Sequence, residues 1–286
     1  MSINYSIIIP HKNIPNLLQK CLDSIPVRDD VQVIVVDDNS DPAIVDFNHF
    51  PGLNQKNVEV YFTKKGKGAG YARNEGMKHA KGKWLVFADA DDRFNDCLND
   101  AMDQYIDCDY DVVFFKATSA SYSDIIDTSG AEHVNNSIDD YLAGKHENLL
   151  YKVTCPWSKF ISREFINANK IKFSETIWSN DVIFVTKVAI LSVKRAVSQM
   201  PIYCYYFRDG SLWNTKHRST KELQVRLKVS VHQIFLFRIN DIKQYNYDTM
   251  PSYWKQLYDK SHIIALLFLP VVLIRCGYSN MKRCLK

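Results

Sequence analysis

Trp84-Leu85-Val86-Phe87-Ala88-Asp89-Ala90-Asp91-Asp92 is an apolar run that ends abruptly in three carboxylates. It reads as a buried strand, Trp84 to Ala88, followed by a loop. Two earlier stretches have the same form. Tyr5 to Ile9 is rich in isoleucine, is closed by Pro10 and leads into His11-Lys12-Asn13, and Val31 to Val36 leads into Asp37-Asp38-Asn39-Ser40. Helical patterns fall between the strands. Ile14 to Ile25 spaces Leu17, Leu18, Cys21, Leu22 and Ile25 along one helix face, and Gly70 to Ala80 is the next helix. Val58 to Phe62 and Val112 to Phe115 read as further strands, Phe94 to Ile106 as a helix, and Asp41 to Phe50 as a short helix or turn. Strands alternating with helices predict an α/β fold, Rossmann-like, with a mostly parallel sheet covered on both faces. Ligands of such sheets sit at the carboxyl ends of the strands. Three polar clusters are therefore expected to converge there.

The bulk numbers agree with a folded globular chain. It has 286 residues, 46% hydrophobic and 24% charged, with a formal net charge of +4. That balance excludes disorder as the default and gives no reason to expect a nucleic-acid partner. Seven cysteines, an odd number with no C-x-x-C pair, argue against a disulfide framework or a zinc site and for a reducing, cytoplasmic location. Met1 to Ile9 lacks a basic region ahead of an apolar core and reads as a strand rather than a signal peptide. Thr118 to Lys152 is polar and aperiodic, with weak helical content, and reads as an insertion. Beyond it lie Trp157 to Ile161, a helix at Asp181 to Leu191, strand-like runs at Ala196 to Met200 and Tyr203 to Phe207, and a mainly helical stretch from Lys221 to Lys286.

Four clusters carry chemistry, each with a plainer alternative. Asp89-Ala90-Asp91 is a D-x-D triplet suited to a hard divalent cation that also binds a diphosphate; otherwise these carboxylates, with Asp92, cap a helix. Asp38 can accept a hydrogen bond from the imide N–H of a base such as uracil, or it belongs to a turn. Gly68-Ala69-Gly70-Tyr71-Ala72-Arg73 opens a helix, where small residues admit a ligand, the helix N-terminus favours anions and Arg73 offers a fork for phosphate. Asn180-Asp181 precedes an apolar helix, so Asp181 is either its cap or a general base that takes a proton from an attacking hydroxyl.

Taken together, Ser6 to Asn13 (S-I-I-I-P-H-K-N), Val33 to Ser40 (V-I-V-V-D-D-N-S), Gly68 to Gly76 (G-A-G-Y-A-R-N-E-G) and Ala80 to Asp92 (A-K-G-K-W-L-V-F-A-D-A-D-D) resemble the inverting family 2 glycosyltransferases in order and spacing. The resemblance covers about the first 115 residues. Pro156 to Phe160, Ser179 to Phe184 and Tyr203 to Ser211 look like acceptor-side motifs of bacterial members that build capsule, lipopolysaccharide or exopolysaccharide. It implies a GT-A-type domain over 1–218, with a nucleotide-binding half at about 1–117 and an acceptor-side half at about 150–218, and a helical extension over 219–286. It also implies residue roles. Pro10, His11, Asn13 and Asp38 would lie at the nucleotide base, Arg73 and Arg208 at the donor site, Asp89 near the ribose and the metal, and Asp91 on the metal, Mn²⁺ or Mg²⁺. Asp181 would be the general base, with Trp157, Lys159 and Asn180 on the acceptor side. Two positions depart from the pattern. Lys12 stands where relatives often have tyrosine, so that a stacking contact with the base is either missing or supplied by His11, and Asn180 replaces the common glutamate.

The implied activity is transfer of a sugar from a nucleotide-diphosphate sugar, UDP-linked, to a hydroxyl of a glycan or lipid-linked acceptor. The alternatives are a sugar nucleotidyltransferase of similar architecture and a non-catalytic subunit of a polysaccharide assembly complex. The first lacks its glycine- and arginine-rich signature here, and the second is opposed by intact Asp89, Asp91 and Asp181. His217, in Lys216-His217-Arg218, is a third metal ligand or an exposed loop residue. The apolar run Ile263 to Ile274, too short for a bilayer span and followed by Arg275, Lys282, Arg283 and Lys286, is either a core helix or a peripheral contact, through 263–286, with the inner face of the cytoplasmic membrane.

Overall fold

The computed structural model describes residues 2–121, 129–207, 218–242, 249–277, 281 and 284. In chain order its elements are β1 (Tyr5–His11), α1 (Pro15–Asp23), β2 (Val31–Asp38), a 3-10 turn (Phe47–His49), β3 (Val58–Thr63), α2 (Ala69–His79), β4 (Trp84–Phe87), β5 (Arg93–Phe94) and α3 (Leu98–Tyr105). Then follow β6 (Val112–Ser121), α4 (Ser129–Leu142), α5 (Glu147–Tyr151), β7 (Lys159–Ser162), α6 (Arg163–Ala168), α7 (Val182–Leu191), β8 (Arg195–Phe207), α8 (Thr220–Ile239), α9 (Thr249–Lys260) and α10 (His262–Cys276).

Eight strands form one sheet in the order β3-β2-β1-β4-β7-β6-β8-β5. The first four are parallel and in register, with Tyr5 opposite both Val31 and Trp84, so the ends of β1, β2 and β4 lie side by side. The sheet is mostly parallel, as expected, with β6 also parallel to β8, but its second half adds antiparallel pairings. Strand β7 runs antiparallel to both β4 and β6, and β5 antiparallel to β8, which makes the sheet mixed. Apolar pattern marks a strand but not its direction, which depends on how the chain returns to the sheet. The two runs expected at 196–207 are one strand. Its pairing with β6 shifts register around Lys116, opposite Pro201, a residue with no N–H for the ladder.

Two boundaries also move. Phe94, expected to open a helix running to Ile106, instead joins Arg93 in a short strand that pairs with Tyr203 and Cys204. The polar stretch after Thr118 contains α4, which buries Ala131, Val134, Ser137 and Ile138. Its apolar stripe is narrow, carried by Ala131, Val134 and Ile138 alone among polar residues, so the sequence shows it only as weak helical content. One hydrophobic core runs from Tyr5 to Tyr203 around the sheet, and a second gathers α8, α9 and α10 on Leu223, Leu227, Val231, Trp254, Ala265 and Val272. A buried hydrogen bond, Gln233 Nε2 to Thr186 Oγ1 at 3.0 Å, ties α8 to α7.

Candidate functional site

The loops after β1 and β2 are stapled to each other. His11 is 2% exposed. Its Nδ1 lies 2.9 Å from Asp37, and its Nε2 accepts the Ile14 N–H at 3.1 Å, so the proton sits on Nδ1. The ring edge meets Phe50. His11 is thus committed beneath the strand ends and offers no free face for stacking. Asn13 adopts φ 58°, receives the Asp41 N–H on its side chain and donates its own N–H to Ser40 Oγ. Asp38 accepts from the backbone N–H groups of Lys67 and Gly68, at 3.1 and 2.6 Å, and so fixes the loop that opens α2. Pro10, His11, Asn13 and Asp38 are brought together as expected, with their side chains chiefly shaping the loops.

The D-x-D loop leaves the buried end of β4. Asp92 does not cap a helix; α3 begins only at Leu98. Its carboxylate instead accepts from the Tyr203 hydroxyl and from the Tyr206 N–H, both at 2.7 Å, and the same hydroxyl accepts the Asp89 N–H at 3.0 Å. Burial, then the charges of Asp89 and Asp91, push the Asp92 carboxyl well above the ordinary carboxylate range. The loop thus carries three carboxylates close enough for the charges of Asp89 and Asp91 to act on Asp92, which is itself turned toward Tyr203 and Tyr206. Two of them, Asp89 and Asp91, could hold Mn²⁺ or Mg²⁺ in the way hard cations are often held, by one or two carboxylates with phosphate oxygens and water completing the shell. Among the described residues no group of three or more His, Cys, Asp and Glu closes a site without a substrate.

Arg73 joins this loop to the other side of the site. Buried in α2, it donates from one Nη to Asn180 Oδ1 at 2.8 Å and from the other to Asp89. The close approach depends on Gly70, whose position lies against Ser174 and Asn180 with no room for a side chain. Asp181 follows Asn180 at the head of α7, and its side chain makes no capping hydrogen bond. Burial raises its carboxyl above the usual range; Arg73 opposes this and Asp89 reinforces it. A carboxylate with a raised pKa, not spent on a cap, suits a general base.

Trp157 and Lys159 lie behind the site. Trp157 stacks on Tyr203 with centroids 5.1 Å apart and planes 8° apart. Lys159, 1% exposed, donates to the Cys155 carbonyl at 2.7 Å and is pushed below the ordinary lysine range by burial. Lys159 thereby holds the Cys155–Trp157 backbone, while Trp157 packs against Tyr203 and Tyr205. Arg208 and His217 lie outside the described residues. Sequence reasoning missed Asp92 and Tyr203. The available signal was a third carboxylate directly after D-x-D.

The sequence profile described as glycosyl transferase family 2 matches residues 6–168, more than half of the chain. The chain belongs to glycosyl transferase family 2. Among similar proteins, it is 26% identical over 226 residues to Streptococcus pneumoniae glycosyltransferase GlyA, a match covering 74% of this chain and 32% of that one. The chain thus spans about a third of the length of that relative. It is 23% identical over 252 residues to Escherichia coli YibD, an uncharacterized glycosyltransferase, covering 85% of this chain and 71% of that one. In fold it resembles a fragment of S. aureus TarS in complex with UDP-GlcNAc, at TM-score 0.66 and 18% identity over 99% of this chain and 84% of the other. It also resembles the mannosyltransferase PcManGT of Pyrobaculum calidifontis in complex with GDP-Man and Mn²⁺, at TM-score 0.58 and 16% identity over 100% and 86%. The fold is the GT-A type, α/β with a mixed sheet and a helical C-terminal region.

Proposed function

We propose that this family 2 enzyme is an inverting, metal-dependent transferase that moves a sugar from a UDP-sugar to a hydroxyl of a glycan or lipid-linked acceptor in cell-surface polysaccharide biosynthesis. The observation that carries the reading is the Arg73 bridge, which sets the D-x-D carboxylate Asp89 beside Asn180 and hence near Asp181. Asp181 takes the proton of the acceptor hydroxyl. The oxygen attacks the anomeric carbon as the bond to the diphosphate breaks, and the electron pair leaves with UDP. Asp89 and Asp91 would hold Mn²⁺ or Mg²⁺, which when bound would help neutralise the charge of the diphosphate. Asp38 and the loop around Pro10 face the base, Arg73 and Arg208 serve the donor, and Trp157, Lys159 and Asn180 shape the acceptor side. The catalytic unit is 1–218, and 219–286 is an extension. A panel of UDP-sugars, assayed for UDP release with Mn²⁺ or Mg²⁺ and with and without glycan acceptors, tests the reading. No turnover of any UDP-sugar by folded protein overturns the donor class.

The extension adds a membrane contact in this proposal. Helix α10 buries Ala265, Val272 and Cys276 in the second core, while Ile263 and Ile274 are each 76% exposed and Leu267 is 69% exposed. At 100° per residue these three fall within one narrow sector opposite the buried face. The helix is therefore core on one side and open aliphatic surface on the other. An aliphatic face followed by basic residues suits the interface of an anionic membrane. Among the described residues no helix is long and apolar enough to cross one. The enzyme would work at the cytoplasmic face.

A further inference from the structure

The Tyr203 hydroxyl holds the D-x-D loop at two points, and nothing in the reaction above uses it. Its ring is fully buried, stacked on Trp157 and met edge-on by Phe94 at 5.5 Å. The stack fixes the ring, and the hydroxyl at its end has two fixed partners. It accepts the Asp89 N–H and donates to Asp92, whose second oxygen is held by the Tyr206 N–H. A buried tyrosine needs one hydrogen-bond partner for its hydroxyl. Here the partners are the backbone of Asp89 and the carboxylate of Asp92, next to Asp91.

We propose that Tyr203 is a positioning residue of the D-x-D loop: its hydroxyl, anchored by Asp92, fixes the backbone at Asp89 and thereby sets the affinity of the Asp89 and Asp91 carboxylates for a divalent cation. The proposal rests on the metal-dependent reading above. Without the hydroxyl, the Asp89 N–H and one Asp92 oxygen lose their partner, and the loop is free to turn the carboxylates away from a common point. The stack also gives the acceptor-side motif, through Trp157, a mechanical hold on the metal side.

The test is Mn²⁺ binding to the full chain, followed by the electron paramagnetic resonance signal of free Mn²⁺ at saturating UDP. Tyr203→Phe keeps the ring and its stack, and is expected to weaken Mn²⁺ binding about 10–100-fold, the usual cost of losing an outer-shell partner. Transfer should fall at low Mn²⁺ and recover as Mn²⁺ is raised, a rescue that a purely structural role does not produce. Asp92→Asn keeps an acceptor for the Tyr206 N–H but turns an amide toward Tyr203, and should act in the same direction. If wild-type protein binds Mn²⁺ and folded Tyr203→Phe binds it equally well, the positioning role is wrong while the metal reading stands. If wild-type protein binds none, both fall together. Should Tyr203→Phe fail to fold, the same comparison with Asp92→Asn decides.

Discussion

Adding one methyl group at Gly70 should cost this enzyme most of its activity while leaving it folded. A Cβ built at Gly70 lies 2.1 Å from the Ser174 carbonyl oxygen and 2.8 Å from Asn180 Cβ. A carbon and a carbonyl oxygen normally stay at least about 3.3 Å apart. The segment carrying Ser174 to Asp181 must therefore move by roughly 1 Å relative to α2, because the obstacle is backbone and cannot rotate away. Alanine is the better helix former by up to about 1 kcal/mol, but overpacking of this kind typically costs about 1–3 kcal/mol. The displacement falls between Arg73 and Asn180, so it shifts Asp181 relative to Asp89. A misplacement of about 1 Å can cost on the order of 10²-fold in rate, or about 2.7 kcal/mol of barrier. Gly70→Ala should thus show a kcat near 1% of wild type, with UDP affinity by calorimetry changed little and melting lowered modestly. Gly76→Ala is the contrast. Its Cβ meets Ile8 Cγ2 at 2.6 Å and lies near Val36 and Ile34, so it strains the core and should lower melting without a comparable loss of kcat. Gly70→Ala with wild-type kcat would falsify the account of how the two halves of the site are spaced.

Other consequences follow from the same geometry. Asp181→Asn should reduce transfer about 10²–10⁴-fold with UDP binding largely kept; a loss only in step with UDP affinity would make Asp181 structural. Burial raises the Asp181 carboxyl, and a base works deprotonated, so kcat/KM should fall as pH drops through a value above the ordinary aspartate pKa of about 3.9; an acid limb at or below that value contradicts the assignment. Asp91→Asn should abolish most transfer in a folded protein, and full activity in excess EDTA would sink metal dependence. Replacing Ile263, Leu267 and Ile274 by serine should release the protein from anionic vesicles in flotation without unfolding it, since all three point outward; full-length protein that stays in solution with such vesicles at low salt removes the membrane contact.

Much of the N-terminal half was legible because its elements are local. Strands β1, β2 and β4 are short apolar runs punctuated by proline or aspartate, and the parallel pairing that aligns their ends follows from the helices between them. Direction was not legible for β7, since the return of the chain is decided far from the strand itself. Asp181 was visible as a residue type in a motif, but whether it capped α7 could be decided only from its hydrogen bonds. His11 shows the opposite failure. Its place in a strand-end motif suggested a contact with the base, and only the partners of both ring nitrogens show that it is committed to the protein. Asp92 and Tyr203 lie 111 residues apart in sequence, a separation across which periodicity carries no information.

Backbone strain offers an independent argument for where the site lies. Six non-glycine residues among those described have positive φ: Asn13, Asn39, Ser158, Lys170, Ser179 and Asp241. Such conformations cost of order 1–3 kcal/mol and persist only where the surroundings impose them; asparagine tolerates them best. Four of the six lie in loops that carry the candidate residues. Asn13 and Asn39 turn the chain after β1 and β2, and their loops are joined through the Ser40 and Asn13 side chains. Ser158 sits between Trp157 and Lys159, with its hydroxyl donating to the Phe115 and Lys116 carbonyls at 2.9 Å. Ser179 immediately precedes Asn180 and Asp181. Serine has no special tolerance for this region, so the two serine positions are where the fold holds the backbone against its preference. Both adjoin residues assigned to the acceptor side or the base, whereas the donor-side turns use asparagine. If strain marks the parts of an enzyme that must be held in one exact geometry, the demanding half of this site is the one that aligns the acceptor hydroxyl with Asp181.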